Sequence, residues 1–316
     1  MGNSPRKTYM YKKALFSMAA LVALPVAMQA HAGHPPQTRG FGLATPVVEV
    51  NSAVADGCPI ESPDGLSLYI ASVRPGTLGG NDIWAADRAS KDSAWSEPQN
   101  LGAPVNTAVN DFCPTPLDGR YLMFVSERPG AGTCNAGPAS GDMYLIRQNA
   151  AFGWGEPQHL GCIETGTGPN SVSAEFSPSL VSTKEGTYLY FSSGITGNQD
   201  IYRSRQRSDG SFGPPSPVHE LNTEFDDRMP NVSRDGLEIV YSSNRPVDAI
   251  GNVAFGSFDV YMSTRPSTRH RWSTPVNLGA NVNTAGSETR SSLSADRKRL
   301  YFGRDGEIYS AKRLKK

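Results

Sequence analysis

The sequence predicts an all-β fold, a single five-bladed β-propeller. Three observations predict it: a pattern that recurs five times, an Asp-Gly or equivalent turn inside each copy, and a last copy that lacks the strand an N-terminal segment supplies. Each copy runs acid, two residues, usually Pro, a tight turn, a Tyr/Phe strand, an Asp-Ile-Tyr-like strand, then an aromatic residue and Pro. The copies open at Asp56, Asp111, Glu175, Asp227 and Glu288, at intervals of 55, 64, 52 and 61 residues.

Taken in order, residues 1–32 read as a secretory signal. Arg6, Lys7, Lys12 and Lys13 precede an apolar run from Ala14 to Met28, and Ala30-His31-Ala32 places the cleavage site before Gly33. The run is interrupted by Ser17 and Pro25 and is short for a bilayer span, so no membrane insertion is expected. Residues 33–40 form a short tether, and 41–316 the propeller. Residues 41–56 contain Phe41 and Pro46 and lead into Val48–Pro59, which runs parallel to His219–Pro230, so an N-terminal strand is expected to complete the fifth blade and close the ring. Copy one reads Ser62-Pro-Asp-Gly65, Leu68-Tyr-Ile70, Asp82-Ile-Trp84 and Trp95-Ser-Glu-Pro98; copy four reads Ser233-Arg-Asp-Gly236, Ile239-Val-Tyr241, Asp259-Val-Tyr261 and Trp272-Ser-Thr-Pro275. Asp-Gly supplies the positive φ of a tight hairpin. Copy five ends at Lys316 after Glu307-Ile-Tyr309 with no Trp-x-x-Pro strand. Trp95, Trp154, Phe212 and Trp272 recur at one position and are expected between blades.

These residues carry a resemblance to the TolB-type, WD-like β-propeller repeat: Ser62-Pro-Asp-Gly65, Ser72-Val-Arg-Pro-Gly76 and Asp82-Ile-Trp84, with counterparts Ser126-Glu-Arg-Pro-Gly130 and Ser242-Ser-Asn-Arg-Pro246. The resemblance covers essentially everything after Phe41. It implies the fold; TolB itself has a different blade number and a further domain, so its role does not transfer.

Charge and composition narrow the function. The whole chain carries 30 basic and 30 acidic side chains; without residues 1–32, which hold four basic and no acidic ones, 26 face 30. A mildly acidic exported protein is a poor nucleic-acid partner. His31 and His34 precede the propeller, His159 and His219 lie on expected outer strands and His270 in a hairpin loop, so no histidine is expected at the axis and histidine-dependent catalysis is disfavoured. Four cysteines in an oxidising compartment, periplasm or medium, suggest disulfides, preferably Cys58 with Cys113 and Cys134 with Cys162.

The opening acids Asp56, Asp111, Glu175, Asp227 and Glu288 start the innermost strands and are expected to ring the channel mouth. Carboxylates about 7 Å apart repel by about 2 kcal/mol at an effective dielectric of 20. Three answers compete: pairing with Arg74, Arg128 and Arg245 on the same face, a Ca²⁺ held by the ring, or catalysis by two of the acids. The second series, Asp82, Asp142, Asp200, Asp259 and Glu307, is expected to accept loop N–H groups, and Asn106-Thr107, Asn222-Thr223 and Asn283-Thr284 to cap turns. Long insertions, 128–141 with Cys134 and 245–258 with Phe255 and Phe258, fall on the acid-bearing face and mark it as a binding surface, with Arg74, Arg128 and Arg245. The reading is an exported, non-catalytic, monomeric scaffold for a protein or glycan partner. The alternative is a glycoside hydrolase of the five-bladed arabinanase type working through axial carboxylates.

Overall fold

The computed structural model describes residues 40–129, 134, 141–149 and 153–315. The expected signal, 1–32, the expected 33–40 tether except Gly40, and most of the 128–141 insertion lie outside the described residues.

Five antiparallel sheets are arranged as blades. The inner strands are Asp56–Glu61, Asp111–Leu117, Glu175–Thr183, Asp227–Val232 and Glu288–Leu293. Each pairs with a second strand, Ser67–Ser72, Tyr121–Ser126, Gly186–Ser193, Glu238–Ser243 or Arg299–Arg304. The third strands are Asp82–Asp87, Asp142–Asn149, Asp200–Arg205, Asp259–Thr264 and Glu307–Lys312. Four outer strands of two residues follow in sequence, at Gln99, Gln158, Ser216 and Val276. The fifth is Thr45–Pro46, which pairs with the last strand through Thr45–Ser310 and Pro46–Tyr309, so the N-terminal segment completes the last blade. A ring closed this way leaves only short sheet edges.

Each inner strand carries a register shift after its second residue. The residue at each shift has positive φ: Cys58, Cys113, Ser177, Met229 and Arg290, at 48° to 59°. These are β-bulges, which bend the strand and re-aim one side chain. The apolar core lies between blades. Trp95 packs with Ile70, Trp84 and Tyr301, and Trp272 packs edge-on to Tyr190 of the preceding blade with centroids 6.3 Å apart. Phe212 sits with Leu189 and Phe191, and Trp154 against Phe124 and Ile146. The repeated aromatics are therefore packing residues.

A five-fold device joins the blades. The side chain of Asn106 accepts from the Ile83 N–H and donates to the Ile83 carbonyl, at 2.8 and 2.9 Å. Asn170 does the same to Met143, Asn222 to Ile201, Asn283 to Val260 and Asn51 to Ile308. Each amide thus continues the preceding blade's third strand as a peptide group would, satisfying an N–H that would otherwise be bare and adding a second donor to a carbonyl that already accepts from the outer-strand segment. The expected turn caps are inter-blade clamps.

Candidate functional site

The residue after each clamp turns to the opening acid. In blade two, Thr107 gives both its N–H and its hydroxyl to Asp111 Oδ2, at 2.6 and 2.7 Å. Thr223 repeats this on Asp227, Thr284 on Glu288, Ser171 on Glu175, and the Ser52 N–H on Asp56. The other side of the carboxylate meets arginine in four blades. Arg74 donates to Asp56 at 2.5 Å, Arg128 to Asp111 at 2.8 Å, and Arg245 to Asp227; Arg304 meets Glu288 at 2.7 Å. All five acids are buried, with no more than 3% of their surface exposed. Arg74, Arg128 and Arg245 point inward, and each also donates to the carbonyl of a connector residue, Val50, Val105 or Leu221. The acids therefore brace strand, connector and loop, and arginine is their countercharge.

Glu175 departs from this. Blade three has Gly194-Ile195 where the others carry arginine, and among the described residues its carboxyl accepts only from Ser171 and Ser193. Burial without a cation pushes its pKa up to about 8, against the hydrogen bonds that lower it. That shift favours the protonated carboxyl at neutral pH. In the second series, Asp82 accepts from the Leu78 N–H, Asp142 from Cys134 and Asp259 from Phe255 and Gly256, as expected; Asp200 instead accepts from the Thr196 hydroxyl, and the exposed Glu307 from the Tyr309 hydroxyl.

The channel axis is filled from the bulges. Arg290 extends from blade five to blade two, where it donates to the Pro114 carbonyl at 3.2 Å and Thr115 Oγ1 at 3.0 Å. It is 1% exposed, its Nε has no partner, and no carboxylate pairs with it among the described residues. Beside it, Cys58 and Cys113 approach to 3.0 Å between sulfurs, and the Ser177 hydroxyl donates to Cys113 at 3.4 Å. The expected Cys58–Cys113 disulfide is a pair of free thiols in this structure. The bulges turn both sulfurs to the axis, at a hydrogen-bonding separation rather than the ~2.05 Å of a bond. Cys134 and Cys162 are bonded, tying the second blade's insertion to its exit. At the far end, Arg234 crosses to Asp118 at 2.6 Å and to the Pro63 carbonyl, over a small cavity of about 110 Å³.

Phe258, expected on the binding face, lies half-buried under Arg228, 3.6 Å from guanidinium carbon to ring centroid, whereas Phe255 is 43% exposed. A lateral groove of about 840 Å³ opens between blades two and three, floored by Met123, Leu145, Leu180 and Phe212, with His159 at its edge. His159 is held there by Asp142 at 3.0 Å and Asn170 at 3.1 Å. The residues missed from sequence are Arg304, Arg290 and Arg228. Arg290 was legible as the one cation at a repeat position otherwise held by Cys, Cys, Ser and Met.

No protein-family model matches the chain, and no curated protein matches it in sequence. Solved structures do match in shape. The α-L-arabinofuranosidase PaAbf62A from Podospora anserina has a TM-score of 0.53 at 13% identity, over 89% of this chain and 98% of that one. The catalytic domain of the GH62 α-L-arabinofuranosidase from Coprinopsis cinerea gives 0.53 at 13%, over 87% and 98%. TolB from Acinetobacter baumannii gives 0.45 at 15% over 83% of this chain, which spans 55% of that protein. At such identities the likeness shows the fold alone: the chain is a five-bladed β-propeller.

Proposed function

We propose that the protein is an exported, non-catalytic scaffold that binds a protein partner through the acid-bearing end of the propeller. The distribution of exposed apolar side chains carries this reading. Inner strands start at that end, second strands finish there and third strands leave it. The loops between second and third strands, and the connectors into each inner strand, therefore share it. Of thirteen exposed large apolar side chains among the described residues, ten lie on those segments. Val247, Ile250, Val253 and Phe255 come from the fourth blade's insertion, Val73 and Leu78 from the first blade's loop, and Ile195 from the third's; Val48, Val54 and Val172 sit in connectors. Aliphatic surface concentrated on one face favours a docking surface that excludes water over a broad area. The Cys134–Cys162 bond fits an oxidising compartment.

The test is a paired substitution, Ile250→Ser with Val253→Ser, in a pull-down from the exported fraction of the source cells, scored against wild type by mass spectrometry. Partners captured by wild type and lost by the variant support the reading; identical capture by both sinks it.

A hydrolase is the second reading, and one observation favours it: burial raises the Glu175 pKa to about 8, toward the protonated state a general acid needs, more than it raises that of Glu288. Against it, Glu175 is fully buried and Arg290 fills the axis that an axial carboxylate pair would share with a sugar. The arabinofuranosidases that match in shape supply the assay. Release of arabinose from aryl arabinofuranosides or arabinoxylan, abolished by Glu175→Gln, would establish the hydrolase; no release by wild type leaves the scaffold.

A further inference from the structure

Four side chains at the axis have no role in the partner-binding reading: Cys58, Cys113, Arg228 and Arg290. A buried guanidinium without an anion is costly, and Arg290 has carbonyls, one hydroxyl and an unpartnered Nε around it. The group beside it that can carry negative charge is the thiol pair. Arg290 acts on both Cys58 and Cys113, and Cys113 acts on Arg228, whose own Nε is likewise buried and unpartnered. Asp226 is the carboxylate that faces Arg228. With one proton between sulfurs 3.0 Å apart, the pair is a single anion: the Cys58 S–H donates to a Cys113 thiolate. That hydrogen bond and Arg290 bring Cys113 down to about 6 against the opposing effect of burial, and the same contact pushes Cys58 up. Two arginines also make this a poor cation site, which turns the sulfur chemistry from metal binding to oxidation.

Access comes from one blade. The residue before each bulge is Gly57, Phe112, Phe176, Arg228 or Thr289. Phe112 and Phe176 meet with centroids 5.9 Å apart, and Arg228 is held over Phe258. Gly57 alone has no side chain, and a Cβ built there would meet nothing within 4 Å. The open position is next to Cys58, which is half-buried where Cys113 is fully buried.

We propose that Cys58 and Cys113 are a redox-active dithiol at the channel mouth, held as one thiolate against Arg290 and oxidised by a hydroperoxide that enters over Gly57. The shared proton shifts to Cys113, and the Cys58 thiolate attacks the peroxide oxygen. The O–O bond breaks, Cys58 becomes a sulfenic acid, and the leaving oxygen takes the proton from Cys113 and departs as water or alcohol. The Cys113 thiolate then displaces the hydroxyl from Cys58, forming the S–S bond and releasing hydroxide, which solvent protonates to water. Two electrons pass from two thiols to one peroxide. Arg290 loses its anion in the oxidised form.

The test uses the purified folded protein with Cys134–Cys162 intact, and hydrogen peroxide as the oxidant. The expected result is loss of two thiols per peroxide, a Cys58–Cys113 linked peptide by mass spectrometry, and iodoacetamide labelling whose pH midpoint lies at least one unit below the ~8.5 of an ordinary thiol. Gly57→Phe should slow oxidation at least tenfold while both thiols still titrate after unfolding. Arg290→Met should return the labelling midpoint toward 8.5. Should that variant fail to fold, Cys113→Ser keeps the test open: peroxide then leaves a sulfenic acid on Cys58 that dimedone traps. Oxidation no faster than that of the unfolded chain, an ordinary midpoint, or loss of Cys58 without linkage to Cys113 would each overturn the proposal.

Discussion

The side chain of Asn51 holds both backbone groups of Ile308, a residue 257 positions later, accepting from its N–H at 2.7 Å and donating to its carbonyl at 3.0 Å. The first connector of the ring is thus clamped to the last blade by the device that joins every other pair of blades. Asn51→Ala leaves the Ile308 N–H without a partner, while its carbonyl keeps the Val47 N–H at 2.8 Å, a loss of about 1–2 kcal/mol. The lowered urea midpoint should be accompanied by faster amide exchange across Glu307–Lys312. Asn106→Ala should cost a similar amount while leaving that strand's exchange unchanged, because its clamp lies between blades one and two.

Arg245 and Asp227 form the most enclosed of the four arginine–acid braces, with side chains 6% and 0% exposed. Arg245→Met strands the carboxylate and should cost about 3–5 kcal/mol in denaturant unfolding. A loss below 1 kcal/mol would show that water or another donor replaces the guanidinium.

Glu175 sets a pH dependence of opposite sign to that of an ordinary paired acid. Its folded pKa, about 8, lies above the unfolded value, so the folded state holds the proton more tightly. Its contribution is complete below about pH 4, the unfolded carboxyl's range, and is lost as pH rises toward 8. Wild-type stability should therefore fall across this window more steeply than that of Glu175→Gln, whose amide does not titrate. Urea midpoints at pH 5, 6, 7 and 8 for the two proteins measure the difference; parallel curves would mean that Glu175 ionises freely.

The Cys134–Cys162 bond closes a loop with a sequence separation of 28. A loop of that length implies a stabilisation of roughly 3–4 kcal/mol through the unfolded chain. The double variant Cys134→Ser, Cys162→Ser should melt well below wild type, and the melt of wild type should be lowered by reductant to the same temperature.

Because four of the opening acids already have arginine countercharges, Ca²⁺ should leave the melting temperature unchanged relative to EDTA. A Ca²⁺-specific rise that disappears in Asp111→Asn would instead assign the acid ring as a cation site, since a ligand at a hundred times its dissociation constant adds about 2.7 kcal/mol.

The repeat determined the architecture. Five acids at near-even intervals, Asp-Gly turns and a copy short of one strand fix blade number, strand order and ring closure, because each of these is local or periodic. Arginine pairing at Arg74, Arg128 and Arg245 was one of three answers the sequence left open, since repeated acids need a countercharge, a proton or a cation. Only the tertiary structure decided what differs between blades. Glu175 becomes the unpaired acid because Gly194-Ile195 leaves no guanidinium to reach it. Asn51 meets Ile308, and the charge of Arg290 acts on Cys113, across sequence separations over which no local pattern carries information. Cys58 and Cys113 lie at one repeat position, but whether their sulfurs bond or share a proton depends on bulge geometry of an ångström or less, a distance set by packing around the axis.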